Sequence, residues 1–173
     1  MKLLFIGDSL IEFFDWERRF PGQEVFNCGI AGETAEGLFE RLEQVLEKAA
    51  YPDYVFIMTG INNLSMEDRD FPATYRKIIR QIRAASPAAK IFVHSLLPVR
   101  FPYISNDEIR KINAGLRLMA GEENVFYVDV HSLFLDSAGG PRASYLLDDG
   151  VHISEEGYQV WSDEIEKLIR RNS

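Results

Sequence analysis

The chain has 173 residues, 46% of them hydrophobic and 27% charged, a size and balance that fit one globular domain and exclude disordered, collagenous and low-complexity classes. Lys plus Arg is 19 against 27 for Asp plus Glu, and the resulting net charge of −8 argues against a nucleic-acid-binding surface and against attraction to anionic membranes. A single cysteine, Cys28, cannot form an internal disulfide, and no Cys/His cluster has the spacing of zinc ligands.

The first apolar run, residues 3–6, is too short for a signal-peptide core, and no window nears the ~20 apolar residues of a membrane span. The chain therefore reads as cytoplasmic, without membrane insertion. Residues 3–6 read as a strand that runs into Gly7-Asp8-Ser9-Leu10. The glycine permits a sharp bend, and the serine can expose its hydroxyl at the sheet edge with its N–H at a helix N-terminus, where negative charge is stabilised. Asp8 and Ser9 equally suit a helix cap.

A second strand at residues 24–26 leads into Asn27-Cys28-Gly29-Ile30-Ala31-Gly32-Glu33-Thr34. Gly32 can present its backbone N–H to the same point as Ser9, or Thr34 and Glu36 can simply begin the helix over residues 34–50, whose apolar face carries Leu38, Leu42, Val45, Leu46 and Ala49. Cys28 reads as a small buried side chain.

Residues 54–58 form a third strand, followed by Thr59-Gly60-Ile61-Asn62-Asn63. An amide there can donate to a developing oxyanion, although glycine and asparagine also favour turns. The helix over residues 71–85 packs Tyr75, Ile78, Ile79 and Ile82, and its Arg76, Lys77, Arg80 and Arg83 read as a solvated face. A fourth strand at residues 91–94 ends in His94, read as a hydrogen-bonded loop or core residue. Ile109, Ile112, Leu116 and Met119 line a helix over residues 106–120. A fifth strand spans residues 125–128, and His131 just beyond it suggests a short structural helix.

Near the end, Asp148-Asp149-Gly150-Val151-His152 is a polar loop. An Asp three residues ahead of a His can turn back to accept Nδ1–H, leaving Nε2 free to take a proton from a serine; the alternative is a surface turn with a solvated His. Ser154 then opens the last helix, which carries Val160, Trp161, Ile165, Leu168 and Ile169. Strands alternating with helices imply a five-stranded parallel sheet covered on both faces, an α/β doubly wound domain with no internal boundary. Ligands bind such sheets at the carboxyl ends of the strands.

Together these segments resemble the GDSL esterases and lipases, also called SGNH hydrolases. The four blocks stand in order: Gly7-Asp8-Ser9-Leu10, Gly32 within Asn27-x-Gly29-x-x-Gly32-x-Thr34, Gly60-x-Asn62, and Asp149-x-x-His152. The resemblance implies a flavodoxin-like fold of five parallel strands over residues 1–173 and ester hydrolysis with neither metal nor other cofactor. It matches Ser9 to the nucleophile, His152 to the general base and Asp149 to the residue orienting that base. Ser9 N–H, Gly32 N–H and the Asn62 amide match the oxyanion hole. Many members carry Asp after the third-block Asn, whereas this chain has Asn63, so a supporting hydrogen bond must be made differently or lost.

The expected partner is a small-molecule ester, and nothing in the sequence fixes the oligomeric state. A short acyl group such as acetyl, on a sugar or another small alcohol, is favoured because no long hydrophobic insertion is available as a lid. Phe13, Phe14, Trp16, Leu64, Met66, Leu97, Pro98, Phe101 and Tyr103 are candidates for an apolar pocket wall or for core packing. Two alternatives stand beside an acetylesterase: a lysophospholipase or thioesterase of the same family, and a catalytically silent carbohydrate- or partner-binding module on the same fold.

Overall fold

In the computed structural model, which describes residues 1–172, five strands form one parallel sheet in the order β2-β1-β3-β4-β5. These are β1 (Lys2–Gly7), β2 (Glu24–Gly29), β3 (Tyr54–Met58), β4 (Lys90–His94) and β5 (Phe126–Val128). The period of two in each strand sorts side chains to opposite faces. Leu4, Ile6, Val55, Ile57, Ile91 and Val93 turn to one face, where they meet the apolar stripes of α3 (Ala35–Ala49), α5 (Pro72–Ala85) and α6 (Asn106–Glu122). Leu3, Phe5, Tyr54, Phe56, Met58 and Phe92 turn to the other, against α1 (Ser9–Glu12), α2 (Trp16–Arg19) and α7 (Glu155–Asn172).

On that second face, cross-strand register places four aromatic rings in a row. Phe5, Phe56, Phe92 and Phe126 are paired neighbours, with successive ring centroids 4.9, 5.2 and 4.8 Å apart. Such stacks add to the hydrophobic contribution of the buried rings and fix the strand register from β1 to β5. Trp16 stacks on Phe5 at 4.2 Å and meets Trp161 of α7 edge-on, which ties the two N-terminal helices to the last one.

Three details depart from the sequence reading. The short helix α1 follows the cap expected at Asp8 and Ser9, but α2 and α4 (Ile61–Ser65) are not apparent in the sequence, because a single turn shows no periodicity. Lys77, Arg80 and Arg83 are exposed, as expected of a solvated face, but Arg76, Arg80 and Arg83 also converge on the carboxylate of buried Glu123 at the end of α6. His94 is a core residue, but neither ring nitrogen has a hydrogen-bond partner. Its ring lies against Phe56 and Trp161, and burial holds its pKa down at about 3. His131 does begin the expected short 3-10 turn, His131–Phe134.

Candidate active site

The carboxyl ends of β1, β2 and β3 carry the first three blocks side by side, so blocks distant in sequence share one edge of the sheet. β1 ends at Gly7, where φ is +152° and a Cβ would stand 1.8 Å from the Met58 carbonyl oxygen. Only glycine lets the chain pass β3 so closely and turn at once into a helix. Asp8 caps that helix, accepting from Leu10 N–H, and Ser9 is its first residue. The cap and the candidate nucleophile are thus neighbouring residues, each with its own task.

Side-chain donors from three elements hold α1 in place. Trp16 Nε1 donates to the Ile11 carbonyl and the Tyr158 hydroxyl to that of Leu10, while the Asn27 amide donates to the carbonyls of Ile11, Glu12 and Phe14. Glu12 returns the connection by accepting from Ala31 N–H at 2.6 Å, next to Gly32. Asp8 is fully buried with one carboxyl oxygen unpartnered, and burial raises its pKa to about 7.

The fourth block approaches from the far end of the chain. Its loop is closed by a Gly150 N–H bond to the Leu147 carbonyl and docked by Arg100 N–H on the Gly150 carbonyl. Gly150 has φ of +73°, and a Cβ there would meet the Arg100 carbonyl oxygen at 2.5 Å. Asp149 turns back as expected. One oxygen accepts from the N–H groups of Val151 and His152, and the other lies 2.6 Å from His152 Nδ1. His152 Nε2 stands 3.1 Å from Ser9 Oγ. Desolvation raises the Asp149 pKa, but the hydrogen bonds from the imidazole and the two backbone amides outweigh it and hold the carboxyl at about 2. Its neighbour Asp148 is exposed to solvent.

Gly32 lies in an exposed turn closed by Glu33 N–H on the Ile30 carbonyl, and its own N–H has no protein partner among the described residues. Glu33 anchors this turn through an ion pair with Arg41, whose guanidinium also reaches the Cys28 carbonyl. Asn62, in the first turn of α4, donates one amide hydrogen to the Glu33 carbonyl at 3.0 Å, which joins the second block to the third. Asn63, which follows the third-block Asn, bonds through its amide to Glu36 and Asp68.

The apolar candidates divide. Trp16, Leu64, Leu97, Pro98 and, in part, Phe14 and Phe101 are core, whereas Phe13, Met66 and Tyr103 are exposed. Phe13 touches the site, with its ring centroid 5.4 Å from that of His152. Cys28 is buried, and desolvation pushes its thiol pKa up, away from reactivity. Among the described residues no cluster of His, Cys, Asp or Glu could hold a metal ion, and no helix is long and apolar enough to cross a membrane.

The family model of the GDSL-like lipase/acylhydrolase family matches residues 5–160. The chain belongs to that family and is an ester hydrolase. It is 26% identical over 176 residues to the platelet-activating factor acetylhydrolase IB subunit alpha1 of Rattus norvegicus, covering 98% of this chain and 75% of that one. It is 31% identical to part of an Escherichia coli N-acylneuraminate cytidylyltransferase, covering 95% of this chain and 39% of the larger protein. A Streptococcus pneumonia structure named for platelet activating factor superposes with a TM-score of 0.85 at 28% identity, over 96% of this chain and 82% of that one.

Proposed function

We propose that this GDSL hydrolase is a serine esterase that cleaves short-chain carboxylic esters, acetyl esters of small alcohols foremost, through an acyl-enzyme on Ser9. The observation that carries the reading is the unbroken relay from Asp149 through His152 to Ser9, with contacts of 2.6 and 3.1 Å.

A serine hydroxyl is a poor nucleophile at neutral pH and needs a base as it attacks. His152 Nε2 takes the Oγ proton while Oγ bonds to the ester carbonyl carbon, and the carbonyl electron pair moves onto oxygen. Asp149 holds Nδ1–H and stabilises the imidazolium. The oxyanion is met by the N–H groups of Ser9 and Gly32 and by the second amide hydrogen of Asn62. Collapse breaks the ester C–O bond, His152 returns its proton to the departing alcohol, and water then cleaves the acyl-enzyme by the same route.

A short acyl group is supported by the openness of the site. The side chains of His152 and Asp149 are 32% and 50% exposed, and Phe13 offers an apolar wall. The acetylhydrolase name of the rat relative points the same way.

The test is hydrolysis of p-nitrophenyl acetate, butyrate and octanoate by wild type and Ser9→Ala. Acetate should be preferred, Ser9→Ala should abolish turnover with its thermal midpoint within a few degrees of wild type, and a serine-directed phosphonate should add once, at Ser9. Retained turnover in Ser9→Ala removes the nucleophile assignment, and a preference for octanoate removes the short-chain reading. Activity should also survive EDTA; loss on chelation with recovery on added zinc would point to a metal hydrolase instead.

A further inference from the structure

Asn63 stands where three chain segments meet, and it is 1% exposed. Its Oδ1 accepts from Ala35 N–H, the first residue of α3, at 3.0 Å. Its Nδ2 donates to Glu36 Oε2 and to Asp68 Oδ2, each at 2.7 Å. Glu36 is held from its other oxygen by the Thr74 hydroxyl of α5, and Asp68 N–H returns to the Asn63 carbonyl. Both amide hydrogens are therefore spent on carboxylates, and the amide oxygen accepts from the backbone.

The charges around this point make the residue choice specific. Among the described residues neither Glu36 nor Asp68 pairs with a lysine or arginine: Arg41 is taken by Glu33, and Arg69 by Glu108 and the Glu67 carbonyl. Two carboxylates facing one another without a cation need a neutral double donor between them. A carboxylate at position 63 supplies no donor and adds a third like charge.

The immediate neighbour of Asn63 is Asn62, whose amide orientation is set by the Glu33 carbonyl across the same junction of α3 and α4. We infer that Asn63, Glu36 and Asp68 form a positioning device that fixes the Asn62 amide for the oxyanion, its support shared between two carboxylates and a central amide. The inference rests on the reading of Asn62 as an oxyanion donor.

Four variants test it with p-nitrophenyl acetate: Asn62→Ala, Asn63→Asp, the double Asn62→Ala/Asn63→Asp, and the triple Glu36→Gln/Asn63→Asp/Asp68→Asn. Asn62→Ala should lower kcat by about 10² to 10³ with KM little changed. Asn63→Asp should lower kcat by about tenfold or more with KM within about twofold, because the donor is misplaced in the transition state rather than in substrate binding. In the double variant the two losses should be far less than multiplicative, since a misplaced amide has less to lose. The triple variant reverses the donors and acceptors: the new amides at positions 36 and 68 donate to the new carboxylate at position 63. It should recover to within about threefold of wild type.

Wild-type kcat in Asn63→Asp, full multiplicativity in the double variant, or a triple variant no better than the single one would each overturn the inference. If Asn63→Asp does not fold, the triple variant decides alone: folded and active supports the device, inactive removes it. An Asn62→Ala enzyme with unchanged kcat would instead strike the oxyanion reading, and this inference with it.

Discussion

The ring of Phe13 lies 5.4 Å from the imidazole of His152, inclined by 35°, and is 58% exposed. A large apolar side chain left open beside a polar relay, four residues after Ser9, is placed to meet substrate and to shield one side of the imidazole from water.

Phe13→Ala should therefore act on substrate binding. Losing one apolar wall of this size corresponds to roughly a tenfold rise in KM for p-nitrophenyl esters, with kcat changed by less than about threefold. Steady-state kinetics on acetate and butyrate check this; a fall in kcat at constant KM would mean that Phe13 orients His152 instead.

Asp149→Asn should keep the fold and lower kcat by up to ~10⁴, because an amide cannot fix the tautomer that leaves Nε2 free. Asp148→Asn, one residue earlier and exposed to solvent, is the control and should be mild. The pH sign follows from the depressed carboxyl, at about 2 against an ordinary 3.8. Its contribution to stability is present above about pH 4 and is lost as the pH falls through about 2, so Asp149→Asn should narrow its stability gap to wild type in strong acid. Thermal midpoints from pH 2 to 6 measure that gap.

His94 brings a second acid sensitivity, from within the core. With a folded pKa of about 3 against 6.5 for an ordinary histidine, the unfolded chain binds the proton first. Stability is fully present above about pH 6.5 and declines as the pH falls toward 3, by on the order of a few kcal/mol at pH 4. His94→Leu should flatten this decline while leaving esterase activity at neutral pH near wild type. Urea titrations at pH 4 and pH 7 provide the comparison, and an unchanged pH slope would show that another group dominates.

Much of this architecture is legible in the sequence because its signals are local and repeated. The long helices and the strands announce themselves by apolar period, and Gly7, Gly32, Gly60 and Gly150 mark the turns between them. β2 runs on to Gly29, beyond its apolar stretch, because Cys28 and Gly29 pair with Ile6 and Gly7, a relationship between two strands and not within one. Motif order suffices to bring Ser9, Asp149 and His152 forward as candidates, and the fold places them in contact, whereas it does not reveal the partners of Asn63. Glu36 and Asp68 lie 27 residues before and 5 after it, at no helical or strand spacing, and only the packing of α3 beside α4 brings them together. His94 illustrates the reverse limit: the sequence suggests a bonded histidine, while the aromatic row and Trp161 enclose it without a polar partner.

The relay joins residues separated by 143 positions. During synthesis the serine leaves the ribosome long before the base of the proposed mechanism has been made, and a product terminated between the two would carry a hydroxyl without the proton acceptor that mechanism requires. On that mechanism esterase turnover requires that translation has passed His152. Two fragments divided in the loop before Asp149 would regain it only by bringing the last helix back onto the sheet.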